Sequence, residues 1–216
     1  MKADKNTLLL ATAALCWALP QAAGAARHEL SQTQYPVDTV FIYSTGQVEK
    51  LLEKGSSWYV IEDMRKRRYK RDLNFTIPPL EYSSLTSSYR QFISDGDPDS
   101  LLQPDQTKYS SFTVTRNKSD GKTLKRSWSC SPLEDGKVRV MGKKTKVITT
   151  TCSRYLWTKL KERMEYQFDQ KTGWLVKSVN HYNGKRRVKR LVAVLPPEKA
   201  TPVNIMRIVR KLRGKR

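Results

Sequence analysis

The sequence is poor in the side chains that enzymes use most often. It has two histidines and three cysteines in 216 residues. It contains no nucleophile elbow, zinc-protease helix, phosphate-binding loop or dinucleotide fingerprint. Neither His28 nor His181 has a ligand-like spacing to the cysteines, which disfavours a zinc site. These absences predict a protein that is not an enzyme and needs no cofactor, and a hydrolase without a motif is the catalytic alternative left open.

Long apolar runs are also lacking, with one exception near the start. The run of residues 8–19 follows a basic beginning and precedes the small residues Ala23 and Ala25. This order is typical of a secretory signal peptide. We predict that residues 1–25 are removed, that the exported protein starts at Ala26, and that it then has no transmembrane span. The expected location is periplasmic or extracellular, with a bacterial host favoured.

The few cysteines agree with export. Cys16 lies in the predicted leader, so Cys130 and Cys152 remain, separated by 22 positions. An even pair in an exported protein predicts one disulfide, worth about 3 kcal/mol for a loop of this length. The bridge requires neighbouring strands with Cα atoms about 4.4–6.8 Å apart. Two free thiols are the alternative.

What the sequence does have is alternation of polar and apolar residues. The clearest segment surrounds Asn183-Gly184, a pair typical of type I′ hairpin turns. Strands are predicted over residues 109–116, 124–130, 137–141, 146–152, 164–168, 174–182 and 186–195. We therefore expect a mainly β (α+β) fold, an antiparallel meander that forms a curved sheet, a sandwich or an open barrel.

Helical spacing is weaker and confined to three places. Residues 47–54, which end at Gly55, and residues 80–94 are predicted as short helices. Residues 203–216 form a basic amphipathic segment after a single exported domain over residues 26–202. Its apolar stripe contains Ile205, Ile208, Val209 and Leu212. This stripe either packs on the protein's own sheet or lies on an anionic membrane.

One acidic segment resembles a metal-binding loop. Asp95, Asp97 and Asp99 alternate as at the start of a calcium loop. Ser100 then stands where such a loop needs glycine, and Gln106 stands where it needs a bidentate glutamate. The segment is interpreted as an acidic loop, with calcium as a minor alternative.

Negative charge is scarce, and positive charge is concentrated in three clusters. The chain has 41 basic and 20 acidic residues, a net charge of +21. Removal of residues 1–25 leaves 39 basic and 19 acidic residues, or +20. The predicted anion-binding surface comprises Arg65, Lys66, Arg67, Arg68, Lys70 and Arg71, then Arg186, Arg187, Lys189 and Arg190, then Arg207, Arg210, Lys211 and Arg213. The expected partners are anionic lipid, lipopolysaccharide or acidic polysaccharide. Export and the lack of a binding motif disfavour nucleic acid.

Two functions fit these features. The first is a non-catalytic envelope protein that associates electrostatically with an anionic envelope surface. The second is a carrier that holds a lipid or another apolar ligand inside an open barrel. A carrier should line a cavity with Trp58 and Trp174, whereas a surface-binding protein should bury them in a closed core.

Overall fold

A computed structural model describes residues 34–74, 76–102 and 108–214 of the chain. The predicted signal peptide, residues 1–25, and the predicted mature start at Ala26 lie outside the described residues. No described helix is both long enough and apolar enough to cross a membrane. The described residues form thirteen strands, one α-helix and two short 3₁₀ turns.

The strands account for most of the described chain. They are β1 Val40–Tyr43, β2 Val48–Lys54, β3 Trp58–Asp63, β4 Arg68–Asp72, β5 Glu81–Ser83, β6 Ser88–Gly96, β7 Ser110–Lys118, β8 Thr123–Cys130, β9 Glu134–Val140, β10 Lys143–Leu156, β11 Lys159–Asp169, β12 Leu175–Tyr182 and β13 Lys185–Leu195. The 3₁₀ turns are Pro98–Leu102 and Pro197–Lys199, and helix α1 is Pro202–Arg213. The predicted mainly β, antiparallel architecture is confirmed.

Twelve of these strands close into a barrel. The ring runs β1 to β8, then β10 to β13, and β13 pairs with β1. Closure depends on the length of β10, because one edge of this strand pairs with β11 along residues 147–156. Its other edge pairs first with β9 and then, through residues 152–155, with β8. The ring thereby leaves β9 as a side strand and has no free edge.

Antiparallel pairing divides the connections between two ends of the barrel. The turns after β1, β3, β5, β7, β10 and β12 share one end, which we call the hairpin end. These turns comprise residues 44–47, 64–67, 84–87, 119–122, 157–158 and 183–184. The longer connections, including residues 73–80 and both 3₁₀ turns, lie at the opposite end.

An aromatic core fills part of the barrel interior. The Trp174 ring stacks on Phe41 with centroids 3.8 Å apart, and its Nε1 donates to the Tyr43 hydroxyl at 3.1 Å. Trp174 is only 1% exposed. A second interior core surrounds Phe112 and Trp128 and is covered by Leu101 of the first 3₁₀ turn. Tyr166 packs against both cores, which joins them inside one barrel.

The disulfide prediction is confirmed. Cys130 of β8 lies directly opposite Cys152 of β10, and the two sulfur atoms are bonded. Their Cα atoms are 4.0 Å apart, slightly closer than the expected range. Directly opposed residues on antiparallel strands approach closely when no hydrogen bonds join them, which accounts for the short separation. The bridge ties the strands at which the barrel closes.

The two short helices predicted in the first half of the chain are wrong. Residues 47–54 comprise β2 and the turn residue Gln47 that precedes it, and residues 80–94 contain β5 and most of β6. Each long strand carries a bulge, with Leu52 as the extra residue in β2 and Ser94 as the extra residue in β6. An extra residue interrupts the two-residue period. The apolar spacing of these strands therefore imitates that of a helix.

The C-terminal helix is confirmed, and its apolar stripe lies on the barrel. Thr201 caps the helix, its side-chain oxygen accepting from the Asn204 backbone N–H at 3.3 Å. Val209 is 1% exposed and packs with Val40 and Ile42 on the outer face of β1. The alternative in which this stripe lies on a membrane is therefore incorrect, because the protein's own sheet covers it.

Candidate functional site

The first basic cluster divides between two faces of the β3–β4 hairpin. Arg71 lies opposite the core residue Tyr59 and so faces the interior. Arg68 and Lys70 face outward, and the Lys70 ammonium sits 4.4 Å from the Trp58 ring centroid. This alternation separates cations that are adjacent in the sequence.

Arg67 of this cluster forms an ion pair with Asp63. Its Nε donates to Asp63 Oδ2 at 2.7 Å. Burial opposes ionisation of Asp63, but hydrogen bonds from Arg67 and from the backbone N–H of Arg65 outweigh it and lower the pKa of Asp63. Arg67 therefore fixes the turn. Arg65 and Lys66 are exposed at its tip, where the Lys66 ammonium also pairs with Glu62 at 2.9 Å.

The second cluster divides in the same way. Lys189 faces the interior, where its Nζ is 2.7 Å from Glu49 Oε1 and 3.8 Å from the Tyr43 ring centroid. Burial lowers the pKa of Lys189, although Glu49 opposes that shift. Arg186, Arg187 and Arg190 are exposed. The third cluster, Arg207, Arg210, Lys211 and Arg213, is exposed on α1, away from the buried Val209.

The hairpin end brings the first two clusters to the same side of the barrel. Arg65 and Lys66 occupy the β3–β4 turn, and Lys185 directly follows the β12–β13 turn. Lys122 and Lys159 lie in or beside two further turns of this end. Asp120 is the single acidic residue within the six turns, and it lies 3.3 Å from the Lys122 Nζ.

The same end exposes large apolar side chains. Trp157, at the tip of the β10–β11 hairpin, is 90% exposed, and Leu85, in the β5–β6 turn, is 92% exposed. Met64, beside Arg65, is 54% exposed. Trp157 has a positive φ of 57°, so the turn itself holds this bulky residue at its tip. Cations and apolar tips therefore share one end of the molecule.

A basic groove adjoins this end on the outer surface. Its volume is about 570 Å³, and its cationic lining consists of Arg68, Lys70, Arg90 and Lys118. Glu81 is the acidic residue among the described lining side chains, and its carboxylate is 3.9 Å from the Lys70 Nζ. The groove extends the positive surface from the β3–β4 turn towards β7.

Sequence analysis did not identify a second basic site, which lies inside the barrel. A pocket of about 200 Å³ is lined by four arginines, Arg71, Arg116, Arg126 and Arg154, and by one carboxylate, that of Glu162. Strand register places these side chains on the inner face, since Arg126 lies opposite Val114 and Arg154 lies opposite Trp128. We call this the arginine pocket.

Two of the four guanidinium groups donate hydrogen bonds within the protein, and the Arg71 guanidinium lies 5.9 Å from the Tyr69 ring centroid. Arg154 Nε donates to Glu162 Oε2 at 2.8 Å, and Glu162 also accepts from the Asn180 side-chain amide. Arg116 Nε donates to Gln91 Oε1 at 2.9 Å, and its guanidinium lies 3.8 Å from the Tyr89 ring centroid. Because one carboxylate faces four cations, the pocket carries an excess of positive charge.

Arg126 shows the electrostatic consequence. Burial lowers the pKa of Arg126, and the nearby charges of Arg116 and Arg154 lower it further. Within the described part of the chain, no carboxylate lies at salt-bridge distance from Arg126 or Arg71. Glu49 attracts Arg71 and Glu162 attracts Arg126 only at longer range, so neither guanidinium forms a direct ion pair with a described acid.

The acidic segment is arranged as a local turn. Asp97 Oδ1 accepts from the Asp99 backbone N–H at 2.9 Å, and Asp99 Oδ1 accepts from Asn74 Nδ2 at 3.0 Å. Across the described ranges, no group of three or more His, Cys, Asp or Glu side chains is arranged to hold an ion. Asp97 and Asp99 therefore stabilise a local turn, and the calcium alternative for Asp95, Asp97 and Asp99 stays a prediction.

Three chains among solved structures are similar to this one, and two of them are the following. One is the hypothetical lipoprotein YmcC from Escherichia coli K12, with 12% identity, coverage of 76% of this chain and 87% of that chain, and a TM-score of 0.49. The other, from Bacteroides fragilis NCTC 9343, is named as an exported protein with a YmcC-like fold. It has 8% identity, coverage of 76% and 98%, and a TM-score of 0.39. No protein-family model and no curated protein sequence matches the chain.

Proposed function

We propose that this protein is a non-catalytic, exported barrel that docks with its hairpin end on an anionic lipid surface of the envelope. The observation that supports this proposal is the combination of exposed cations with Trp157, Leu85 and Met64 on one end of the barrel. The Cys130–Cys152 disulfide agrees with an oxidising compartment outside the cytoplasm.

The apolar tips favour lipid over a purely polar polyanion. Tryptophan is enriched where a membrane meets water, because its ring is apolar and its N–H is polar. A leucine that is 92% exposed gains nothing from a sugar chain in water, but it gains from insertion at the acyl boundary. Each Lys or Arg near an anionic surface adds about 1 kcal/mol. Arg65, Lys66 and Lys185 together would contribute about 3 kcal/mol.

The carrier alternative has less support. Trp174 is buried in the closed aromatic core, and Trp58 lies under the Lys70 ammonium on the outer face. Neither tryptophan lines an apolar cavity. The arginine pocket, at about 200 Å³, is smaller than the roughly 300–1,000 Å³ of most ligand sites. The arginine pocket therefore has no space for a long acyl chain.

Two charge variants test whether vesicle binding depends on the cations of the hairpin end or only on the net positive charge of the protein. The first is Arg65→Gln/Lys66→Gln/Lys185→Gln, and the matched control is Arg207→Gln/Arg210→Gln/Arg213→Gln on α1. Both remove three exposed cations, so their net charges are equal. Co-sedimentation with vesicles containing anionic lipid should show roughly 100-fold weaker binding for the first variant, from about 3 kcal/mol at 1.4 kcal/mol per tenfold change. The control should bind nearly as well as the parent.

The apolar contribution is tested through Trp157. Its fluorescence should shift to shorter wavelength when anionic vesicles are added, and the shift should be absent in Trp157→Asn. Asparagine is chosen because it tolerates the positive φ of this turn. Equal losses in the two charge variants would contradict docking by the hairpin end. Tight binding to an acidic polysaccharide, with none to anionic vesicles, would contradict a lipid partner.

A further inference from the structure

The arginine pocket is assembled from four separate strands. Arg71 comes from β4, Arg116 from β7, Arg126 from β8 and Arg154 from β10. Charged side chains are expensive to bury unless they are paired. Their convergence, half-buried, on one cavity favours a compensating negative charge, and Glu162 supplies a single one.

A residue that lines the pocket also carries an unused neutral donor. Trp128 lines the pocket and is 5% exposed, and its indole Nε1 is buried with no hydrogen-bond partner in the described structure. An indole N–H can donate but cannot accept. A buried donor without an acceptor costs about 1–3 kcal/mol. The unpaired indole therefore indicates an acceptor group that the described protein does not provide.

The remaining walls are fixed and partly apolar. Ile77, Pro78 and Pro79 line one side of the pocket, and Met164 and Tyr166 line another. The segment before Ile77 is anchored, since Asn74 Nδ2 donates to the Pro98 carbonyl at 3.1 Å and the Thr76 hydroxyl donates to Asn74 Oδ1 at 2.6 Å. Apolar walls reduce the local dielectric constant, which strengthens ionic hydrogen bonds inside the pocket.

We propose that the arginine pocket binds a small tetrahedral dianion, a phosphate or sulfate group, with the guanidinium groups and the Trp128 N–H as donors. Four cations and one carboxylate leave an excess of three positive charges, which a dianion balances better than a monoanion. Guanidinium groups bind phosphate in a bidentate manner, and each has five N–H donors. Arg116 and Arg154 each use their Nε in the hydrogen bonds given above.

This proposal goes beyond docking at the hairpin end, and it involves different residues. The pocket's volume of about 200 Å³ limits the occupant to a small molecule or to the head of a larger one. Free phosphate and a phosphomonoester share the recognised chemistry. Titration with inorganic phosphate and with a small sugar phosphate distinguishes the two sources.

The decisive variant is Arg126→Met. It removes one guanidinium and keeps a long apolar side chain, and no described carboxylate loses a partner. Because Arg116 and Arg154 repel Arg126, the ligand-free variant should unfold at the same temperature as the parent or at a higher one. Phosphate should raise the unfolding temperature of the parent but not that of Arg126→Met. The control is Arg190→Met on the exposed face of β13, which should respond like the parent.

Calorimetry completes the test at constant ionic strength set with sodium chloride. We expect saturable binding of inorganic phosphate and sulfate to the parent and at least tenfold weaker binding to Arg126→Met. We also expect a several-fold loss in Trp128→Phe, which keeps an aromatic ring but is smaller and lacks the indole N–H. Equal affinity of phosphate for the parent and Arg126→Met would overturn the proposal. So would tighter binding of acetate than of phosphate, or no binding of either dianion at about 10 mM.

If sugar phosphate competes with phosphate, the pocket holds a phosphate head group, and if it does not, the pocket is closed around the free ion. Both results support the site.

Discussion

Truncation of Val209 tests whether the C-terminal helix belongs to the folded barrel. Val209 is 1% exposed and contacts the cluster formed by Val40, Ile42 and Val48. Val209→Ala removes two buried methyl groups, worth about 0.8 kcal/mol each in transfer, and leaves a small cavity. The free energy of unfolding should therefore fall by about 2–3 kcal/mol. For a domain of this size, that lowers the unfolding temperature by roughly 5–10 °C.

Val203→Ala is the matched control. Val203 lies in the first turn of the same helix but is 76% exposed. The substitution changes helix propensity by a similar amount without removing buried surface. Thermal unfolding followed by circular dichroism should show a stability equal to that of the parent or slightly higher. If Val209→Ala and Val203→Ala have the same unfolding temperature, the helix does not pack on the barrel in solution, and our rejection of membrane contact by its stripe is wrong.

Two further predictions concern covalent and ionic stabilisation. Cys130→Ala/Cys152→Ala should lower the free energy of unfolding by about 3 kcal/mol in urea titrations, and an unchanged midpoint would contradict a structural role for the bridge. Because the pKa of Asp63 is lowered in the fold, its carboxylate stabilises the protein above the unfolded pKa of about 3.9, and this contribution is lost as pH falls through the folded pKa. Asp63→Asn should therefore be less stable than the parent at pH 7, and the difference should shrink as the pH falls below the unfolded pKa of about 3.9. A difference that stays constant as the pH falls would refute the assignment.

Local signals in the sequence predicted the local structure well. Asn183-Gly184 forms the turn between β12 and β13, and both residues have positive φ, as a type I′ turn requires. Alternation in the middle of the chain located β7, β8 and β10 closely enough to place Cys130 beside Cys152. These features depend on neighbouring residues or on directly connected strands, and their signals therefore appear within short windows.

Closure of the barrel depends on how the strands are staggered and paired around the ring, and no short stretch of sequence contains that information. The sequence does not reveal that the long strand β10 pairs with β8, β9 and β11, because the stagger between strands determines where one partner ends and another begins. The bulges at Leu52 and Ser94 also misled sequence analysis, since they give the apolar residues of β2 and β6 a spacing that resembles that of a helix. Both incorrect helix predictions therefore fell on strands in which a bulge interrupts the two-residue period.

The arginine pocket was missed for a different reason, although part of the signal was present. Arg71 was grouped with its neighbours as surface charge, yet a two-residue period puts it on the same face as Tyr69, which packs against the core. Arg126 likewise shares a face with the buried Trp128. An inward arginine contradicts the expected alternation of apolar and polar faces. Such departures from a local rule are a useful guide to functional sites.

The large positive charge of this chain therefore divides into two populations with different physical behaviour. Exposed cations such as Arg65 and Lys185 act through water, where salt screens attraction beyond about 8 Å at physiological ionic strength. The interior arginines are shielded by the barrel, so salt should weaken their binding of an anion much less. Raising sodium chloride from 50 to 500 mM should thus abolish vesicle binding before it reduces phosphate binding. Loss of both at the same salt concentration would mean that one exposed surface is responsible for both, and would exclude a separate interior site.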